Sequence, residues 1–83
     1  MITVFRLTKY ASGCPSGWQK SFSKEFDDLA KAQAYARRQR DLLINYEGMT
    51  LEEIQHETFT AFFSHECGTE VKLCIRGWQN LNS

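Results

Sequence analysis

The alternation of apolar and polar positions divides this chain into segments before any motif is considered. Ile2 to Lys9 is β-branched and aromatic, with apolar side chains on both parities (Ile2 and Val4, then Phe5 and Leu7). That pattern predicts a strand covered on both faces. Tyr10 to Gly17 holds the only proline and two of the five glycines, so its turn chemistry predicts a loop. Trp18, Phe22 and Phe26, interspersed with Lys20 and Lys24, mark a second strand. The two strands form a hairpin with a wide loop.

The period then changes. Asp27 is a suitable N-cap, and Asp28 adds negative charge to the first turn. The run Asp28 to Asn45 is rich in alanine, leucine, glutamine and arginine, all strong helix formers. On a helical wheel Leu29, Ala32, Tyr35, Ala36, Gln39, Leu42, Leu43 and Tyr46 share one broad sector, which predicts the face laid on the sheet. At about 1.5 Å per residue such a helix spans roughly 27 Å, and Gly48 is a natural stop.

Thr50-Leu51-Glu52-Glu53 matches a capping box and predicts a short second helix to about His56. Alternation returns over Glu57 to His65 and again over Glu70 to Trp78. A three-residue loop, Glu66-Cys67-Gly68 with Gly68 left-handed, joins these strands as a hairpin. In that register His65 faces Thr69, Phe63 faces Val71, Ala61 faces Leu73 and Phe59 faces Ile75, so the apolar positions share one face. The expected fold is α+β in the order ββααββ: one antiparallel sheet made of two hairpins, a long helix packed on one face, and a short second helix.

Composition fits one domain over residues 1–83. The 42% hydrophobic and 13% aromatic content favours a folded globule over a disordered segment. Phe5, Trp18, Phe22, Phe26, Tyr35, Phe59, Phe63 and Trp78 are the expected core rings, as a monomer or a homodimer. Met1 leads straight into a strand-like run without a basic, apolar leader, and no stretch approaches the roughly 20 apolar residues of a membrane span. Three cysteines, an odd number, fit reduced thiols. The expected location is the cytoplasm.

Charge changes the picture more. Residues 1–40 carry Arg6, Lys9, Lys20, Lys24, Lys31, Arg37, Arg38 and Arg40 against Glu25, Asp27 and Asp28. Residues 41–70 carry seven acids (Asp41, Glu47, Glu52, Glu53, Glu57, Glu66, Glu70) and no lysine or arginine, and Lys72 and Arg76 follow. The zero net charge therefore hides a dipole, which concerns association rather than fold.

Four kinds of chemistry are open to these residues. His65 and Cys67 offer one short metal-ligand pair, with Cys14, His56 or Cys74 as further donors, but the paired spacings of a zinc site are lacking. A thiol nucleophile needs a positioned base. His65 near Cys67 is the one such pair, and neither it nor Cys14 lies in a catalytic signature. There is no nucleophile elbow, phosphate-binding glycine loop or credible carboxylate pair, so the chain reads as a non-enzyme without cofactor or metal.

Nucleic-acid binding has a candidate surface in Phe62 beside Lys72 on the last hairpin, with Arg76 opposite Thr58 and Arg37, Arg38 and Arg40 on the helix. The neutral total opposes it, because phosphate binders are basic. The helix arginines also suit the helix dipole, and Arg37 can pair Asp41. Protein binding leads. Glu47, Glu52, Glu53 and Glu57 form an acidic surface on the short helix and its flanks, suited to a basic partner. Phe62 and Trp78 are its apolar anchors, and internal pairing with Arg37, Arg38 or Arg40 is the alternative for these acids.

In size and build, though in no motif, the chain resembles small accessory proteins of phages and mobile elements such as anti-CRISPR proteins. The resemblance implies an inhibitor that binds a nucleic-acid-processing complex. It assigns no role to any residue.

Overall fold

The computed structural model describes residues 1–13 and 16–77. Its elements are β1 (Ile2–Lys9), β2 (Gln19–Phe26), α1 (Leu29–Asn45), β3 (Thr50–Gln55), β4 (Thr60–Ser64) and β5 (Glu70–Arg76). The five strands make one antiparallel sheet in the order β2-β1-β5-β4-β3. The chain is thus a hairpin, a helix and a three-stranded meander, ββαβββ, which corrects the expected ββααββ order with its second helix. The meander enters the sheet by its last strand, so β5 pairs with β1 at the centre. β1 and β5 are the strands with the most buried residues, as central position requires.

The second helix is replaced by β3. Leu51 lies opposite Phe63 and Ile54 opposite Ala61, with a register shift between Leu51 and Glu53. This bulge brings two residues three apart onto the same side of a strand. On paper the same spacing, behind a capping box, reads as helix. Pairing with β4 decides the matter, because a short isolated helix is marginal while a strand here satisfies the backbone of β4.

α1 begins one residue later than expected. Asp28 is the cap, and its side chain accepts a 2.8 Å hydrogen bond from the Ala30 amide. The helix packs mainly on β1, β5 and β2. It buries Ala32 and Leu43, with Leu29, Tyr35 and Ala36 partly covered. Leu42 and Tyr46 are exposed, Tyr46 by 84%, so the buried stripe is narrower than the wheel sector. The cause is placement: the helix lies over β1, β5 and β2, shares the core with Phe63 of β4, and leaves β3 and the rest of β4 clear.

The core lies between α1 and one sheet face, where Ile2, Val4, Phe63, Val71, Leu73 and Ile75 meet Ala32 and Leu43, with Met49 closing one end. Each large apolar side chain buried here contributes at most roughly 1.5–3 kcal/mol. Phe63 opposite Val71 and Ala61 opposite Leu73 follow the expected register. His65 N–H donates to the Thr69 carbonyl at 2.9 Å, around a turn in which Gly68 has φ +99°. Phe59 stands outside the ladder at φ +50°, yet its carbonyl accepts from the Ile75 amide. Among the described residues no helix is long and apolar enough to cross a membrane.

Candidate binding surfaces

β3 forms one outer edge of the sheet, with every residue but Leu51 exposed. Glu53 lies opposite Phe62 and accepts from Gln55 Nε2 at 3.3 Å. Glu52 accepts from the Ser64 hydroxyl, and Glu57 sits on the exposed turn between β3 and β4. The sequence therefore placed these acids correctly at the surface but on the wrong element, a strand edge and turn rather than a helix.

Their partners also differ from the internal alternative. Among the described residues the ion pairs are Arg6–Glu47, Lys31–Asp27 and Arg40–Asp41, and none involves Glu52, Glu53 or Glu57. Arg40, not Arg37, approaches Asp41, at a loose 3.9 Å. Glu47 leaves the acidic set: both its oxygens accept from the Arg6 guanidinium, at 2.8 and 2.9 Å. The Arg6 side chain is only 20% exposed and its Nε has no partner, so this bidentate pair ties β1 to the end of α1. Trp78 lies outside the described residues.

The second surface is the sheet face away from α1. Here Phe62, Lys72 and Arg76 do come together, joined by Trp18 and Phe5. The Lys72 ammonium lies 4.8 Å from the Trp18 ring centre and 5.8 Å from that of Phe62, and the Arg76 guanidinium lies 5.2 Å from that of Phe5. Thr58, Thr60 and Cys74 line a shallow depression of about 550 Å³ with Phe62, Lys72 and Arg76. Arg37, Arg38 and Arg40, on α1 beyond the opposite face, do not join this cluster.

Of the expected core rings, Phe5 is buried, though on the face away from α1, whereas Trp18 is 36% exposed. A register shift explains it. Phe22 pairs with Arg6 but Lys20 pairs with Leu7, leaving Ser21 as an extra residue. The inserted residue turns Trp18 onto the face opposite Phe22 and Phe26.

A third feature is a groove of about 300 Å³ between α1 and the uncovered β4–β3 side of the sheet. Ala36, Ile54, Phe59, Ala61, Leu73 and Ile75 give it an apolar floor, and Gln33, Arg37, Arg40 and His56 stand around it. Nothing in the sequence pattern marked it, because it exists only where the helix stops short of covering the sheet.

Cys14 lies outside the described residues, and the other two thiols are divided by environment. Cys67 is exposed in the β4–β5 turn, with Sγ 3.4 Å from Thr69 Oγ1 and its amide donating to His65 Nδ1 at 3.1 Å. Hydrogen bonding from Thr69, with a smaller contribution from His65, lowers its pKa to about 7. Cys74 is buried on the open face, and burial pushes its thiol up. Among the described residues no three His, Cys, Asp or Glu side chains gather at a metal-binding distance. Compared with family models, curated proteins and solved structures, the chain has no match.

Proposed function

We propose that this protein is a non-enzymatic, cytoplasmic protein-binding module, an inhibitor or adaptor, that presents the acidic β3 edge to a basic partner surface. The observation that carries this reading is the set of three exposed acids, Glu52, Glu53 and Glu57, with no cation paired to them among the described residues. A like-signed cluster on a strand edge blocks pairing with a second acidic edge and steers encounter with a basic one. Phe62, opposite Glu53, supplies an apolar contact next to the charge. A protein that normally holds nucleic acid in a basic groove is the partner such an edge would compete for, in the manner of the anti-CRISPR-like inhibitors the chain resembles in build.

The test is capture of partners from a bacterial lysate on tagged protein, with and without nuclease, beside a Glu52→Lys, Glu53→Lys, Glu57→Lys variant. The reading expects a stoichiometric protein that survives nuclease and is absent from the variant. Equal capture by both proteins sinks it.

One observation favours a second reading, single-stranded nucleic-acid binding on the open face: the Trp18–Lys72–Phe62 stack with Arg76 over Phe5 offers rings and cations together. There, retention vanishes with nuclease and Lys72→Glu with Arg76→Glu abolishes it.

A further inference from the structure

We infer that the groove between α1 and the β3–β4 side of the sheet binds a small amphiphilic anion, an apolar chain or ring with one carboxylate or phosphate head held by Arg37 and Arg40. The site shares β3 and its turn with the acidic edge proposed above but rests on different residues.

Three observations converge. The floor is apolar and concave, and about 300 Å³ is the lower end of the range for small-molecule sites. Ile54, on that floor, is 37% exposed, so the walls do not close on each other. A cavity of this kind gains from an apolar occupant by the same surface burial that built the core.

The polar groups are few and placed on two walls. Arg37 and Arg40 stand three residues apart on one helix face, and both line the groove. Residues at that spacing are neighbours on a helix surface, so both guanidinium forks reach one head group. His56 faces them from the β3–β4 turn. Among the described residues Arg37 has no ion pair, and Arg40 has only the loose contact to Asp41. An arginine stem can lie along apolar surface while its charged end stays available to a ligand.

Charge complementarity selects the ligand. The cations rim an apolar hollow, so the complement is an apolar body with a negative end. A neutral amphiphile leaves the guanidiniums unanswered, and a cationic one meets them as like charge.

The experiment is titration calorimetry of the full chain with decanoate below its micelle concentration, beside decyl phosphate, decanol and decylammonium. Saturable one-to-one binding is expected for an anion and not for decanol or decylammonium. The stronger of decanoate and decyl phosphate identifies the head group. Arg37→Gln with Arg40→Gln should weaken binding about tenfold or more, as loss of charge-assisted hydrogen bonds requires. Ala61→Phe, which fills the floor, should abolish it, with thermal melting reporting that both variants remain folded. The Glu52, Glu53, Glu57 lysine variant should bind decanoate as well as the parent does.

Absence of binding overturns the proposal. So does equal binding of decylammonium, or undiminished binding by the arginine variant. A concentration-dependent dimer that decanoate does not dissociate would make a second copy the occupant and overturn it too. Should Ala61→Phe unfold, Ile54→Ser takes its place as the floor variant, with weakened binding as the expected result.

Discussion

The two edges of the sheet are built to different ends. At the β2 edge, Phe22 and Phe26 turn inward and pack on Tyr35 of α1, with ring centres 6.3 and 5.2 Å from it. Lys24 lies over the rings of Phe26 and Tyr35. At the β3 edge no helix lies above Ile54, and Glu52 and Glu53 face solvent. Both edges are mostly exposed, but β2 lays two rings against the helix whereas β3 turns only Leu51 towards the core. Helix coverage therefore separates the residues that hold the molecule together from those left free to recognise something else.

The sharpest way to break this comparison is truncation under and beyond the helix. Phe63→Ala and Leu43→Ala, both in the covered core, should cost about 3–5 and 2–5 kcal/mol in denaturant unfolding. Ile54→Ala should cost less than about 1 kcal/mol, since its side chain is already partly in water. Equal costs would mean that the uncovered side is core as well.

A smaller effect is expected where the helix end is pinned to the sheet. Arg6→Gln should lose about 1.5–3 kcal/mol, the range for hydrogen bonds to charged groups, because the largely buried guanidinium grips Glu47. A double-mutant cycle with Glu47→Gln should recover most of that loss as coupling. An additive cycle would show that the pair does not hold the two elements together.

The least stability change is expected at the acidic edge. Glu52→Lys, Glu53→Lys and Glu57→Lys together should move stability by no more than about 0.5 kcal/mol per site, as for other exposed positions, while eliminating partner capture. A collapse in stability instead would assign these acids to the fold.

The thiols offer a comparison by pH. With its pKa near 7, Cys67 gains thiolate as pH rises through neutrality. Its alkylation by iodoacetamide, followed by peptide mass spectrometry, should have its midpoint near pH 7. Thr69→Val should move that midpoint upward, since Thr69 is the largest cause of the lowering. Cys74, whose buried thiol is raised, should stay unmodified until the protein unfolds.

Much of the fold is legible in the sequence where one period runs unbroken. The helix from Leu29 to Asn45 and the β4–β5 register, with Gly68 in the turn, follow from helix formers and from strict alternation. The errors of strand against helix and of strand face fall at the two register shifts. At Leu51–Glu53 an extra residue makes a strand resemble a helix, and at Ser21 it carries Trp18 to the other face. A bulge breaks the rule of two that links position to face, and no residue type announces it.

The candidate surfaces show the same division. Exposure of Glu52, Glu53 and Glu57 is readable from charge alone. The Arg6–Glu47 pair joins residues 41 apart in sequence, and the groove depends on where the helix ends up over the sheet. Both need tertiary placement that local pattern does not contain.

The central pairing of β1 with β5 governs how the molecule assembles. Thr3 meets Arg76 across that pair, so the first strand waits for nearly the last described one. A sheet centred on so distant a pairing belongs to the slow-folding topologies, because a long loop must close before its contacts can form. During synthesis, β1 and β2 can form a hairpin and α1 can coil. Until residues 70–76 emerge, however, the inner side of β1 presents open backbone to any neighbouring chain. Arrival of β5, rather than formation of the helix, is the event that closes this inner edge of β1.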